Sequence, residues 1–217
     1  MSTLPASRVS RIFGRSLAAL AWYGLLLQLY LIIVNAPSNG LPVATAVVNY
    51  FSFFTILTNL LVAVALTFSG PERASVLGSF CSRPTVQTAI AVYISIVGIV
   101  YSLVLRSLWD PEGLQKIADK VLHDAVPLLY VVYWALFVRK DGLQFRDVGR
   151  WLLYPAIYLV YTLIRGAASG RYPYHFLDAG QLGYSRVGAN IVLLVAAFAV
   201  TGSSFVAIGR WMSRNAA

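Results

Sequence analysis

The residues best placed to do chemistry sit inside an apolar run: Asn49-Tyr50-Phe51-Ser52-Phe53-Phe54-Thr55-Ile56-Leu57-Thr58-Asn59. Hydrocarbon offers no hydrogen-bond partners, so polar side chains at bilayer depth normally face the bundle interior or a water-filled cavity. At about 100° per residue, Thr45, Asn49, Ser52, Thr55 and Asn59 share one face of a continuous helix, and Thr58 falls beside it. Thr55 is therefore the better candidate for a hydroxyl that points into a shared cavity. His123 lies in another helix that enters from the same predicted side, so hydroxyl and imidazole could meet inside the membrane. A neutral imidazole there could accept a proton. A plainer reading also accounts for the stripe: Ser and Thr back-bond their own helix, and Asn joins neighbouring helices at about 1 kcal/mol per bond.

His123 heads a face that continues through Pro127, Tyr130 and Trp134, while Asp119, Lys120 and Asp124 keep its surroundings polar. It could equally cap the outer end of its helix. Trp151, Tyr154, Tyr158, Tyr161 and Arg165 follow one arc of the fifth apolar run, where Pro155 allows a kink. Ser95, Gly98, Ser102 and Arg106 share a face of the third. Together these faces could line a pocket open to the outer leaflet and rimmed by Arg106, Lys120 and Arg165, which suits a lipid with a free carboxylate. The same cations could simply snorkel to headgroups. The loop from Arg165 to Asp178 reads as an interfacial lid or anchor, rich in glycine and aromatic residues. His175 and Asp178 could join His123 around a metal, but the chain has only two histidines and no HExxH pattern, so no metal or other cofactor is expected.

These residues must be held by membrane-spanning helices. The 217-residue chain is 59% hydrophobic and 12% charged, with a mean hydropathy of +0.71. A soluble domain of this size could not hide so much apolar side chain. Six runs approach the roughly 20 residues needed to cross about 30 Å of hydrocarbon: 15–35, 44–68, 84–107, 117–138, 146–166 and 186–210. The fourth has a short apolar part, and its helix is expected to begin just after Gly113. Nothing resembling a linker divides the runs, so residues 1–217 are expected to form one all-α bundle of six transmembrane helices. Arg8, Arg11 and Arg15 ahead of an apolar stretch ending Val34-Asn35-Ala36 look like a secretory leader. That stretch exceeds the usual apolar core of about 7–15 residues, and a spanning helix is expected instead.

Charge orients the bundle. With the N-terminus in the cytoplasm, the inner segments hold Arg8, Arg11, Arg15, Arg73, Arg83, Arg139, Lys140, Arg146, Arg150, Arg210 and Arg214, while the loop from Ala36 to Val43 carries no basic residue. Both termini are therefore expected inside. The net charge of +9 then reflects this orientation and not a nucleic-acid partner. The lone Cys81 excludes an internal disulfide and a Cys-based zinc site.

Three stretches, FSFFTILTNLL, LHDAVPLLYVVYW and WLLYPAIYLVYTLIRGAASGRYPYHFLD, resemble the bacterial branch of the androgen-induced and androgen-dependent TFPI-regulating protein family of membrane threonine hydrolases. The resemblance spans nearly the whole chain. It implies a metal-independent esterase of a bacterial plasma membrane that cleaves fatty acid esters of hydroxy fatty acids. By that resemblance Thr55 is the nucleophile and His123 its base, with Thr58 the alternative if the motif shifts by one turn. Ser52, Asn59 or Asn49 could then stabilise the oxyanion, and Asp119 or Asp124 could orient the imidazole. Arg106, Lys120, Tyr130, Trp134, Tyr158 and Arg165 complete the expected substrate-binding set. A different class stays open: a lipid-binding or scaffold protein, or a small transporter, in which the polar residues are ligands or packing contacts. No internal repeat of the kind many transporters carry is evident.

Overall fold

Long apolar runs bounded by Pro, Gly and charge dictate helices, and helices are what form. A computed structural model describes residues 8–69 and 75–215; Arg73, one of the basic residues assigned to the inner side, lies outside them. Helix α1 is Arg8–Asn35, α2 Val43–Tyr50, α3 Phe54–Phe68 and α4 Val76–Cys81. The third run forms α5, Pro84–Val100, and continues through a π-helical turn, Tyr101–Leu105, and a 3-10 turn, Arg106–Leu108. The fourth forms α6, Gly113–Lys120, then a second π-helical turn, Val121–Ala125, and α7, Val126–Phe137. The fifth is α8, Phe145–Trp151, with α9, Leu153–Ser169; the last is α10, Ala179–Asn215, kinked where Gly183 has φ 74°.

Five of these helical stretches are long and apolar enough to cross a membrane, and a sixth is added if α2 and α3 count as one span. The chain is thus an all-helical integral membrane protein. The fourth stretch begins at Gly113, as its sequence predicts.

The second span departs from expectation. Helices α2 and α3 are bent by 70°, although Phe51-Ser52-Phe53 contains neither proline nor glycine. Phe53 is extended, at φ −84° and ψ 130°, and Ser52 Oγ donates to the Val48 carbonyl at 2.6 Å, closing the end of α2. Backbone groups freed inside a membrane need partners. Tyr158 Oη supplies one, donating to the Ser52 carbonyl at 3.0 Å.

Helix α5 is the centre of the packing: the stretch from Pro84 to Leu108 is more deeply buried than any of the other long helices. It packs on α3, α7 and α10, while α1 packs on α3, α6 and α7. Two glycines permit close approach where the histidine turn sits. A Cβ on Gly24 would lie 2.7 Å from Val121 Cγ1, and one on Gly98 would lie 3.4 Å from the His123 carbonyl oxygen.

Candidate functional site

Four polar side chains of the second span meet a partner from α9 or the loop after it. Ser52 Oγ lies 3.0 Å from Tyr161 Oη, Thr55 Oγ1 lies 3.3 Å from Tyr174 Oη, and Thr58 Oγ1 lies 3.2 Å from Tyr154 Oη. On α2, Asn49 Oδ1 accepts from Arg165 at 2.5 Å. The single face drawn on a continuous helix is therefore corrected: the 70° break separates Thr45 and Asn49 from Thr55 and Asn59, and Thr58 turns toward α9. Thr55 lines an apolar cavity together with Tyr101, Tyr158, Tyr174, Phe176 and Phe198. The cavity is tight, about 50 Å³, whereas ligand pockets run to roughly 300–1,000 Å³. A lipid chain could enter only by displacing side chains.

His123 is half-buried in the second π-helical turn. Its Nδ1 lies 3.1 Å from the Asp119 carbonyl oxygen and 3.1 Å from Asp119 Oδ1. The carboxylate contact is close but not aligned as a hydrogen bond, since Oδ1 has no bonded partner among the described residues. Tyr101 Oη donates to the other oxygen, Asp119 Oδ2, at 2.5 Å, and its ring stacks on the imidazole with centroids 3.9 Å apart and planes 14° apart. Asp124 instead pairs with Arg106. Of the two candidate orienting acids, Asp119 is the one beside the imidazole.

The expected direct bond between Thr55 and His123 is absent among the described residues. The nearest link is Asn59, whose Nδ2 donates to the Thr55 carbonyl at 2.9 Å and to the Leu122 carbonyl at 3.1 Å. The two carbonyl partners fix which end of that amide carries the hydrogens. Both hydrogens are committed, so Asn59 is a brace and not an oxyanion donor in this arrangement. Ser52 donates its hydroxyl to Val48, and Asn49 is engaged by Arg165. A donor that the helix itself leaves unpaired arises elsewhere. The break makes Thr55 a first-turn residue of α3, where amides have no intrahelical acceptor; its N–H instead donates to Tyr174 Oη at 3.3 Å.

Of the remaining expected substrate contacts, Tyr158 lines the cavity, but Tyr130 and Trp134 do not. Tyr130 Oη donates to the Gln87 carbonyl at 3.4 Å and Trp134 Nε1 to Thr88 Oγ1 at 2.9 Å, which makes both buried struts between α7 and α5. They share the His123 face, but that face turns into helix packing below Pro127. Arg106 and Arg165 are not among the residues lining the cavity and are engaged by Asp124 and Asn49, and Lys120 is exposed. His175 packs edge-on to Phe176, and Asp178 Oδ1 accepts from the Gln181 amide at 3.1 Å. Neither joins His123, and no three potential metal ligands cluster among the described residues.

Tyr101 and Tyr174 are absent from the residues selected by sequence. Gly98, one turn before Tyr101, signals a close approach to another helix, but tyrosines in aromatic-rich runs give no sign of which hydroxyl they meet. The chain matches no protein-family model, no curated protein and no solved structure.

Proposed function

We propose that the protein is an intramembrane lipid ester hydrolase with Thr55 as nucleophile and His123 as base. The observation that carries this reading is the Asp119–His123 pair beside the helix holding Thr55. The Asp119 carbonyl oxygen accepting at Nδ1, with the carboxylate close beside it, favours the tautomer that leaves Nε2 unprotonated and basic. Thr55 Oγ1 attacks the ester carbonyl while its proton passes to His123 Nε2. The carbonyl oxygen becomes the oxyanion, taken by the Thr55 N–H once Tyr174 Oη is displaced; a helix N-terminus suits negative charge. Collapse breaks the ester bond, and the proton on Nε2 goes to the departing alkoxide. Water, deprotonated at the same nitrogen, then releases the acid from the acyl-threonine.

The apolar, aromatic lining of the cavity suits an acyl chain once side chains move aside to admit it, and the resemblance points to fatty acid esters of hydroxy fatty acids. The basic residues suggest both termini at the cytoplasmic face, and the resemblance points to a bacterial plasma membrane. Hydrolysis of such an ester by purified protein, lost in Thr55→Ala with melting behaviour retained, is the expected result; turnover unchanged in that variant rejects the mechanism.

One observation favours a second reading. The Thr55 hydroxyl is bonded to Tyr174 and not to the imidazole, and broken spans occur in transporters at their binding sites. A lipid-binding or lipid-moving protein without turnover would bind the same ester with equal affinity in wild type and His123→Ala and release it intact.

A further inference from the structure

The two π-helical turns, Tyr101–Leu105 and Val121–Ala125, lie in neighbouring helices. Such turns add a residue to the helical circuit and are frequent at functional sites because they re-aim side chains. Here they meet at one cluster. The Tyr101 ring covers the His123 imidazole, its hydroxyl holds Asp119 Oδ2 at 2.5 Å, and Asp119 Oδ1 is thereby left toward His123 Nδ1 at 3.1 Å. Tyr101 is 4% exposed, and Gly98 on the preceding turn lets α5 approach closely enough for all three contacts.

We infer that Tyr101 is a positioning residue: it clamps both members of the Asp119–His123 pair and, together with the Asp119 carbonyl oxygen that accepts from Nδ1, fixes the imidazole in the form protonated at Nδ1. The inference deepens the hydrolase reading and rests on it for its catalytic consequence, but the clamp itself can be tested without turnover. The stack fixes the plane of the imidazole. The phenol hydroxyl occupies one carboxylate oxygen, so the carboxylate cannot rotate freely and keeps its other oxygen 3.1 Å from Nδ1, beside the Asp119 carbonyl oxygen that accepts from that nitrogen. Asp124 does not compete, because Arg106 holds it, and the Arg106 guanidinium lies 5.1 Å from the centroid of the same Tyr101 ring. Tyr101 and Arg106 from the third span and Asp119 and Asp124 from the fourth are the ionisable groups gathered here. Helices α1 and α3, which also pack on this turn, bring none: α3 has no charged residue, and the charged residues of α1 are Arg8, Arg11 and Arg15, in its first third.

The test uses full-length protein in detergent micelles, labelled with ¹⁵N at histidine and carrying His175→Gln so that His123 gives the only ring signals. At a pH where the ring is neutral, the two nitrogens of wild type should differ by the full separation of a single tautomer, with Nδ1 protonated. Tyr101→Phe keeps the stack and removes the clamp on Asp119, and its two signals should move toward each other as both tautomers become populated. Ester hydrolysis in Tyr101→Phe should fall roughly tenfold in kcat, with KM within about twofold, as expected when a group acts only in the transition state. Ring signals identical in wild type and Tyr101→Phe overturn the inference, whatever the hydrolysis rate. Ring signals that follow Tyr101 in a protein without esterase activity uphold the clamp and overturn only the hydrolase reading. If Tyr101→Phe does not fold, Asp119→Asn supplies the same readout: converging ring signals uphold the clamp, and unmoved signals overturn it.

Discussion

Asn59 ties the second span to the fourth through Leu122: one carboxamide, fully buried, donates to the Leu122 carbonyl at 3.1 Å while its other hydrogen reaches the Thr55 carbonyl at 2.9 Å. Thr55 and the residue before His123 are thus held by a single side chain. Replacing it with alanine removes two buried hydrogen bonds and opens a small void, a loss of about 2–4 kcal/mol. Asn59→Ala should therefore lower the melting temperature and depress ester hydrolysis together. Full activity at unchanged stability would remove the brace from the account.

Hydroxyl and imidazole act as one unit in the proposed reaction. Thr55→Ala and His123→Ala should each reduce hydrolysis by at least about 10²-fold, and the double variant should be scarcely worse than either. Losses that multiply, measured by steady-state kinetics on folded protein, would mean that the two side chains act separately.

Tyr174 Oη occupies both groups that the reaction needs from Thr55, its hydroxyl and its N–H. Tyr174→Phe keeps the ring that stacks on Phe176 at 5.2 Å and removes that obstruction. One hydrogen bond is worth about 1 kcal/mol, so the variant should hydrolyse ester roughly fivefold faster at low substrate. A fall to the level of Thr55→Ala would instead make the Tyr174 hydroxyl part of the catalytic machinery.

The Arg106 guanidinium lies over the Tyr101 ring of the His123 cluster, and Asp124 engages it. If it receives a lipid carboxylate, free-acid esters should be preferred to their methyl esters; Arg106→Gln should erase the preference and Asp124→Asn should enlarge it. Equal rates on acid and methyl ester in all three proteins would reduce Arg106 to a structural partner of Asp124.

At the opposite end, Lys140 folds back to close α7, donating to the carbonyls of Trp134 at 2.5 Å and Ala135 at 2.7 Å. Burial pushes its ammonium down to about 8 from 10.5. Between those values the unfolded chain binds more protons than the folded one, so stability rises with pH through this window. Thermal melts should show wild type gaining on Lys140→Met from pH 8 to 10.5. A gap that narrows or stays flat would contradict the shift.

The spans were legible in the sequence because their cause is composition: twenty apolar residues between charges or glycines leave few alternatives, and Gly113 marks the start of the fourth correctly. The break after Tyr50 was not legible. Phe51-Ser52-Phe53 carries no helix breaker, and what stabilises its bend is remote: Tyr158 at the Ser52 carbonyl and Tyr174 at the Thr55 amide. Helical angles computed through that break put Asn49 and Thr55 on one face, whereas the structure gives them different partners. His123 and Asp119 were recognisable as neighbours at i, i+4, the spacing that brings side chains together on one helix face. Choosing Asp119 over Asp124 required seeing Arg106 take the latter. The tyrosine partners of Ser52, Thr55 and Thr58 depend on how α9 and its loop dock, which no local pattern encodes.

The most direct test of the central claim is to treat the purified protein with a fluorophosphonate that reacts with activated hydroxyls, then map the adduct by mass spectrometry of its peptides. The account expects one modified residue, Thr55, with labelling abolished in His123→Ala. An adduct on Thr58, or equal labelling of Thr55 with and without the imidazole, would contradict it.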